Sequence, residues 1–327
     1  MTKQDRCYLL EIQHLAVSFE NENGRFRVVD DIDLSLESGK ILGLVGESGS
    51  GKSVTALAIM RLLPKPWARI DTGAIRFDGE DIVQLPVDAV RRLRGDRIAM
   101  IFQEPMTALN PVHRVGRQIA EVFVLHGIES DPERIRQRSR QMLSRVGIAD
   151  PEQCLMSYPH QISGGMRQRV MIAMALCGNP ELLIADEPTT ALDVTVQAQL
   201  LELIRELQQE IGMSVMWITH DLGLVARLCD EVAVMYAGKI VEQAKVQMMF
   251  SNPLHPYTQG LLRSVPRLEG EPKSRMYSIE GTVPSFQAIP SGCRFHDRCP
   301  KAMPVCSSIS PGQTSMEERK VWCHLYG

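Results

Sequence analysis

The sequence predicts an α/β protein built around a phosphate-binding loop, with a second, smaller unit towards its C-terminal end. Three observations carry this. Gly46-Glu47-Ser48-Gly49-Ser50-Gly51-Lys52-Ser53 fits G-x-x-x-x-G-K-[ST], a loop whose backbone N–H groups wrap phosphate oxygens while the lysine reaches the β/γ-phosphates and the hydroxyl a Mg²⁺. It joins an apolar strand at 40–45 to an apolar helix at 54–63 that is stopped by Pro64, so phosphates would meet a helix N-terminus. Further apolar runs at 98–102, 182–185 and 214–219 each end in polar residues, where α/β sheets bind their ligands.

The bulk composition bounds the function. With 327 residues the chain has room for two units. A net charge of −3 with 44% hydrophobic and 23% charged residues argues against a protein that coats nucleic acid. No run approaches the ~18 apolar residues of a membrane span, and the N-terminus leads into no signal-peptide core, so the expectation is a cytosolic chain that does not cross a membrane by itself.

Taken in order, 9–19 reads as a first strand, a polar turn follows at Asn21-Glu22-Asn23-Gly24, and 27–36 alternates as a half-exposed strand. Phe19, with Phe26 second, is the aromatic expected to stack on a base next to the loop. Residues 72–79 read as a hairpin strand, and 98–102 as a buried strand ending at Gln103. From 115 to 146 the period turns helical and the surface charged, as in an inserted helical subdomain. Ser163 is a natural N-cap before Gly164, Gly165 and a helix from Met166 to Leu176, a second helix N-terminus suited to phosphate. The strand at 182–185 leads into Asp186 and Glu187. Alternation sends the two carboxylates to different places, which suits Asp186 to Mg²⁺ and Glu187 to a general base on water. An amphipathic helix at 197–211 precedes the strand 214–219, which ends at His220.

In this order the residues closely resemble the nucleotide-binding subunits of ABC transporters over about 8–250. Residues 46–53 correspond to Walker A, Gln103 to the Q-loop, Ile162-Ser163-Gly164-Gly165-Met166 to the signature, 182–187 to Walker B, Ala191-Leu192-Asp193 to the D-loop and His220 to the switch histidine. The signature departs from L-S-G-G-Q at Ile162 and Met166. The resemblance implies a P-loop NTPase fold: a RecA-like core with a β-subdomain and a helical subdomain at about 104–165, all within 1–250, followed by a small Cys-rich extension at 251–327. It implies ATP held by Phe19, Gly46, Glu47, Ser48, Gly49, Ser50, Gly51, Lys52, Ser53 and Val54 and, across a head-to-tail dimer, by Ser163, Gly164, Gly165 and Asp193. Ser53, Gln103 and Asp186 would hold Mg²⁺, and Lys52, Gln103, Glu187 and His220 would carry catalysis.

Two longer stretches narrow the family. Asn252-Pro253-Leu254-His255-Pro256-Tyr257-Thr258-Gln259-Gly260-Leu261-Leu262 and the run from Gln103 to Pro111 are similar to the oligopeptide/dipeptide importer ATPases, D-type. That resemblance implies an ATPase on the cytoplasmic face of the cell (inner) membrane, paired with a second ABC ATPase subunit. Two transmembrane permease subunits and an external peptide-binding protein complete the machine, and the residues around Gln103–Pro111 would receive a coupling helix from a membrane subunit. Nickel or glutathione is an alternative cargo, and a soluble ABC ATPase acting on nucleic acid is the alternative from another class. The single Walker A loop and the lack of long heptads speak against that one.

Four of the cysteines crowd the tail as C-x5-C-x6-C-x16-C at Cys293, Cys299, Cys306 and Cys323. In a reducing compartment such clusters hold metal more often than they form disulfides, and four thiolates suit either Zn²⁺ or a [4Fe–4S] cluster. The importer resemblance implies the [4Fe–4S] cluster.

Overall fold

The computed structural model describes residues 8–22, 24–103, 108–189, 194–265 and 277–327. They fall into two compact units. One comprises the chain up to Leu9, Glu37–Lys40 and Gln84–Trp217, and the other Leu10–Leu36, Ile41–Val83 and Ile218–Gly327.

In the second unit, β1 (Tyr8–Asn21) and β2 (Gly24–Glu37) form the hairpin that the polar turn predicts, and β4 (Ala68–Phe77) and β5 (Glu80–Asp81) extend it in the order β2-β1-β4-β5. The period-two pattern of β1 breaks at His14, which adopts φ 50°, and the register against β4 shifts between Gln13 and Ala16. Leu15, Ala16 and Val17, at and just after that irregularity, are all buried.

The other sheet segment of this unit runs β11-β12-β10-β9-β3. β3 (Ile41–Val45) is buried at every position and pairs in parallel with β9 (Glu231–Tyr236). β10 (Lys239–Lys245) returns antiparallel, and β12 (Arg319–Trp322) and β11 (Gln313–Met316) add a hairpin to its free edge through Glu242↔Val321. The Cys-rich tail is thus part strand.

Helix α1 (Lys52–Ile59) follows the 46–53 loop and stops short of the expected 63. Leu62 N–H bonds Leu57 O at 2.8 Å and Arg61 N–H bonds Ala58 O at 3.0 Å, with Arg61 at φ 49°. This pair of bonds closes the helix end with a left-handed residue, so the backbone turns before Pro64 is reached.

In the first unit, after the short helix α2 (Val87–Leu93), β6 (Ile98–Ile101) and β7 (Leu182–Asp186) pair in parallel, from Ile98↔Leu182 to Ile101↔Ala185, and β8 (Ser214–Thr219) completes the order β8-β7-β6. Both β7 and β8 are buried throughout, which is why they read as unbroken apolar runs. Three helices pack on one another: α3 (Val115–Leu125), α4 (Pro132–Arg145) and α5 (Pro151–Met156). Asp131 and Asp150 cap α4 and α5 by accepting from Glu133 N–H and Gln153 N–H, each with proline following, a combination that presets a helix start. α6 (Gly164–Leu176) packs against α3, α4 and β6, and α7 (Val194–Ile211) buries the predicted stripe Leu200, Leu201, Ile204 and Leu207. Among the described residues no helix is long and apolar enough to cross a membrane.

Candidate functional site

The 46–53 loop leaves β3 through a passage that only glycine fits, since a Cβ on Gly46 would lie 2.1 Å from Met235 O. Gly49 (φ 76°) and Gly51 (φ 105°) are left-handed, so the loop curls back on itself. Lys52, 5% exposed, spans that curl: its Nζ donates to Gly46 O at 2.8 Å, Glu47 O at 3.0 Å and Ser50 Oγ at 3.4 Å. Gly238 N–H donates to Ser50 O at 2.8 Å, tying the loop to the β9–β10 turn. The N-cap residue of α1 is Gly51, which has no side chain to cap the helix, and an uncapped helix start can receive an anion. The glycine curl and the inward ammonium fit a polyphosphate.

Glu47 is held by residues far along the chain. Its N–H donates to Tyr257 Oη at 2.9 Å, and its carboxylate accepts from Arg298 Nη1 and Nη2 at 2.7 and 3.0 Å. The short helix α9 (Val246–Ser251) precedes α10 (Pro256–Arg263), which delivers Tyr257 and whose cap His255 is fully buried. Burial pushes the His255 imidazole down to about 3, so it is neutral and its Nδ1 accepts from Tyr257 N–H at 3.1 Å. Glu242, buried on β10, accepts from Leu254 N–H and His255 N–H at 2.9 Å each; burial raises its pKa against the pull of those two bonds. The sequence marks His255-Pro256-Tyr257-Thr258 as a family feature but supplies no role for it. Arg298, set between two cysteines, carries no local signal at all.

Phe19 and Phe26, the two aromatic candidates, stack on each other at 6.3 Å between centroids and 19° between planes. His220 is exposed at the end of β8, and next to it Asp221 caps α8 (Leu222–Leu228) by accepting from Gly223 and Leu224 N–H.

In the first unit, the ends of β6 and β7 bring two candidates together: Gln103 Nε2 donates to Glu187 Oε2 at 3.2 Å. Asp186 is 4% exposed, whereas Glu187, one residue on, adopts φ 46°. A non-glycine residue held in the left-handed region is strained, and such strain gathers at functional positions. Ser163 Oγ accepts from Met166 N–H at 3.3 Å and so caps α6, with Ser163 and Gly164 exposed and nothing within 4 Å of a Cβ built on Gly164. Asp193, with Ala191 and Leu192, lies outside the described residues.

The C-terminal cysteines correct the sequence reading. Among the described residues no three His, Cys, Asp or Glu side chains are grouped to hold a metal ion, which overturns the [4Fe–4S] cluster and its zinc alternative at Cys293, Cys299, Cys306 and Cys323. Cys306 and Cys323 are buried, while Cys293 and Cys299 pack against the cluster containing Phe295 and Tyr257. Burial pushes the Cys293 thiol up to about 11 and also raises Cys299 and Cys323. The nearby imidazoles are engaged elsewhere, His296 Nδ1 with Cys293 O and His324 Nε2 with Ile309 O, both at 2.8 Å.

Comparison with known proteins agrees with this architecture. The family model for ABC transporters matches residues 29–190, and that for the oligopeptide/dipeptide transporter C-terminal region matches residues 241–306. The chain is 52% identical over 314 residues to a probable peptide ABC transporter ATP-binding protein of Sinorhizobium fredii, covering 94% of this chain and 93% of that one. It is 48% identical to the oligopeptide transport ATP-binding protein AppD of Bacillus subtilis, covering 97% of each. It is 49% identical to the dipeptide transport ATP-binding protein DppD of Haemophilus influenzae, covering 97% and 95%. Among solved structures, the dimeric ATP-binding cassette MJ0796 bound to ADP and Pi aligns with TM-score 0.66 at 24% identity, over 72% of this chain and 98% of that one. The cbiO1 protein of Clostridium perfringens aligns with TM-score 0.62 at 27% identity, over 75% and 92%. The P-loop NTPase fold of an ABC ATPase is therefore the fold of this chain. It belongs to the ABC transporter ATPases, in the branch that carries the oligopeptide/dipeptide transporter C-terminal region.

Proposed function

We propose that this chain binds and hydrolyses ATP to drive import of di- and oligopeptides, as a peripheral subunit on the cytoplasmic face of the cell membrane. The observation that carries the reading is its end-to-end similarity to peptide-importer ATP-binding proteins, C-terminal region included. Those relatives are named for peptides, which favours peptide over nickel or glutathione.

On this reading residues 1–250 form the nucleotide-binding domain, with 104–165 as its helical subdomain, and 251–327 form the C-terminal region. Lys52 and the N–H groups of the 46–53 loop bind the phosphates, with Phe19 beside the base. The oxygen donors Ser53, Gln103 and Asp186 have the hard character that suits Mg²⁺ and would hold it. Held by these residues, the ion would supply positive charge to offset that of the phosphates. Glu187 accepts the proton of the attacking water, supported by its hydrogen bond to Gln103. His220 contacts the γ-phosphate. Ser163, Gly164 and Gly165, with Asp193, complete the site of a second ATPase subunit arranged head to tail, a role supported by the exposure of Ser163 and Gly164. Such a division makes catalysis electrostatic and dependent on the dimer. The partners are that second ATPase, two membrane permeases and, indirectly, an external peptide-binding protein.

The test is to co-purify the chain with its membrane subunits and measure ATP hydrolysis with and without the external binding protein and peptides. Peptide-dependent stimulation is expected. A chain that purifies without membrane subunits and responds instead to nucleic acid overturns the reading.

A further inference from the structure

Glu47 puts a carboxylate inside a loop suited to a polyanion, and its charge needs a partner. Arg298 supplies one. Its Nη1 and Nη2 grip both carboxylate oxygens, Nη1 also reaches Tyr236 Oη at 3.3 Å, and its remaining N–H groups donate to Glu280 O at 2.9 Å and Ile279 O at 3.3 Å. The guanidinium lies over the Tyr236 and Phe295 rings at 5.7 and 6.0 Å, and its side chain is only 6% exposed. Burial disfavours its charge, but the bonds to Glu47 and Tyr236 outweigh that and push its pKa up.

The same C-terminal region holds the loop at other points. Tyr257 Oη takes the Glu47 N–H, and the Tyr236, Tyr257 and Phe295 rings pack at 4.6 to 5.2 Å between centroids. Arg294 donates to Ala237 O and pairs with Asp30. Ala237 precedes Gly238, whose N–H holds Ser50 O. One short run, Arg294 to Arg298, thus bears on both sides of the loop.

We propose that Arg298 and Tyr257 are positioning residues for the phosphate-binding loop, acting through Glu47, so that the C-terminal region sets the affinity of the loop for ATP. Two physical effects follow from the geometry. A bidentate guanidinium cancels the Glu47 charge that otherwise repels phosphate. A loop already ordered spends less binding energy on ordering itself. Both act on binding and leave the chemical step largely alone. The proposal rests on the assignment of residues 46–53 as the ATP loop, so the experiment carries a control for that assignment.

The experiment measures KM and kcat for ATP in the complex with its membrane subunits, together with equilibrium binding of a fluorescent ATP analogue. Arg298→Ala is expected to raise KM about tenfold with kcat within about twofold, and Arg298→Lys to recover part of the loss. Tyr257→Phe, which keeps the ring, raises KM by about threefold. The decisive variant is Glu47→Gln combined with Arg298→Ala: with the unpaired charge gone, KM returns to within about threefold of the parent. A merely structural strut predicts the opposite, a double variant at least as impaired as Arg298→Ala. That result overturns the proposal, as does an unchanged KM in Arg298→Ala. Lys52→Ala serves as the control; if it retains analogue binding, the loop assignment itself fails, whatever Arg298 does.

Discussion

Gln103 and Glu187, which close two neighbouring parallel strands, meet through a 3.2 Å hydrogen bond from the amide of one to the carboxylate of the other. The bond fixes a carboxylate at a backbone position, φ 46°, that a non-glycine residue seldom adopts. Glu187→Gln keeps a hydrogen-bonding side chain of the same size and removes the proposed base. Hydrolysis in the assembled complex should fall by at least a hundredfold, the upper reach of general-base catalysis being ~10⁴-fold, while ATP binding is retained. Single-turnover rates alongside equilibrium binding check it, and substantial residual hydrolysis refutes the base assignment.

His255 makes stability acid-sensitive. Its folded pKa is depressed to about 3 by burial, below the ~6.5 of an exposed imidazole. A depressed pKa means that its contribution is fully present above the unfolded value and is lost as pH falls from there towards the folded one. The loss approaches ~1.4 kcal/mol per pH unit. His255→Asn keeps an acceptor for Tyr257 N–H without the titration. Urea midpoints at pH 7, 6, 5 and 4 should fall less steeply for the variant than for the parent; parallel slopes count against this origin.

Two glycines should respond in opposite ways. Gly46→Ala drives a Cβ into a backbone oxygen 2.1 Å away, so the loop must shift and ATP binding should be lost. Gly164→Ala meets nothing within 4 Å and adds helix propensity at the start of α6, so Tm should hold or rise slightly. On the proposed reading its methyl meets the site shared with a second ATPase, and activity of the complex should drop more than tenfold. Thermal melts set beside ATPase rates separate the two cases.

Base stacking by Phe19 can be told from packing by comparing ligands. Phe19→Ala should weaken ATP by about 5- to 150-fold, in line with ~1–3 kcal/mol for an aromatic on a base, and leave inorganic triphosphate unaffected. Equal weakening of both ligands would assign Phe19 to the hydrophobic packing it shares with Phe26.

Much of this protein is local in origin and legible from its residues. The phosphate loop, the Ser163 cap and the acidic end of β7 follow from glycine placement, side-chain caps and runs of buried apolar residues, all set within a few positions. Boundaries were less legible: α1 ends on a backbone motif that uses Arg61 where glycine is usual. The bulge at His14 is likewise a matter of register against β4.

What only the tertiary structure decided lies at long range. Arg298 reaches Glu47 across 251 positions and Glu242 holds the segment leading into α10. Neither contact leaves a periodic trace in the sequence, because each depends on where the sheet brings distant chain segments. The tail cysteines show the reverse error, a spacing that suggested a metal centre. Whether thiols ligate depends on how their side chains are grouped in space, and the fold alone sets that.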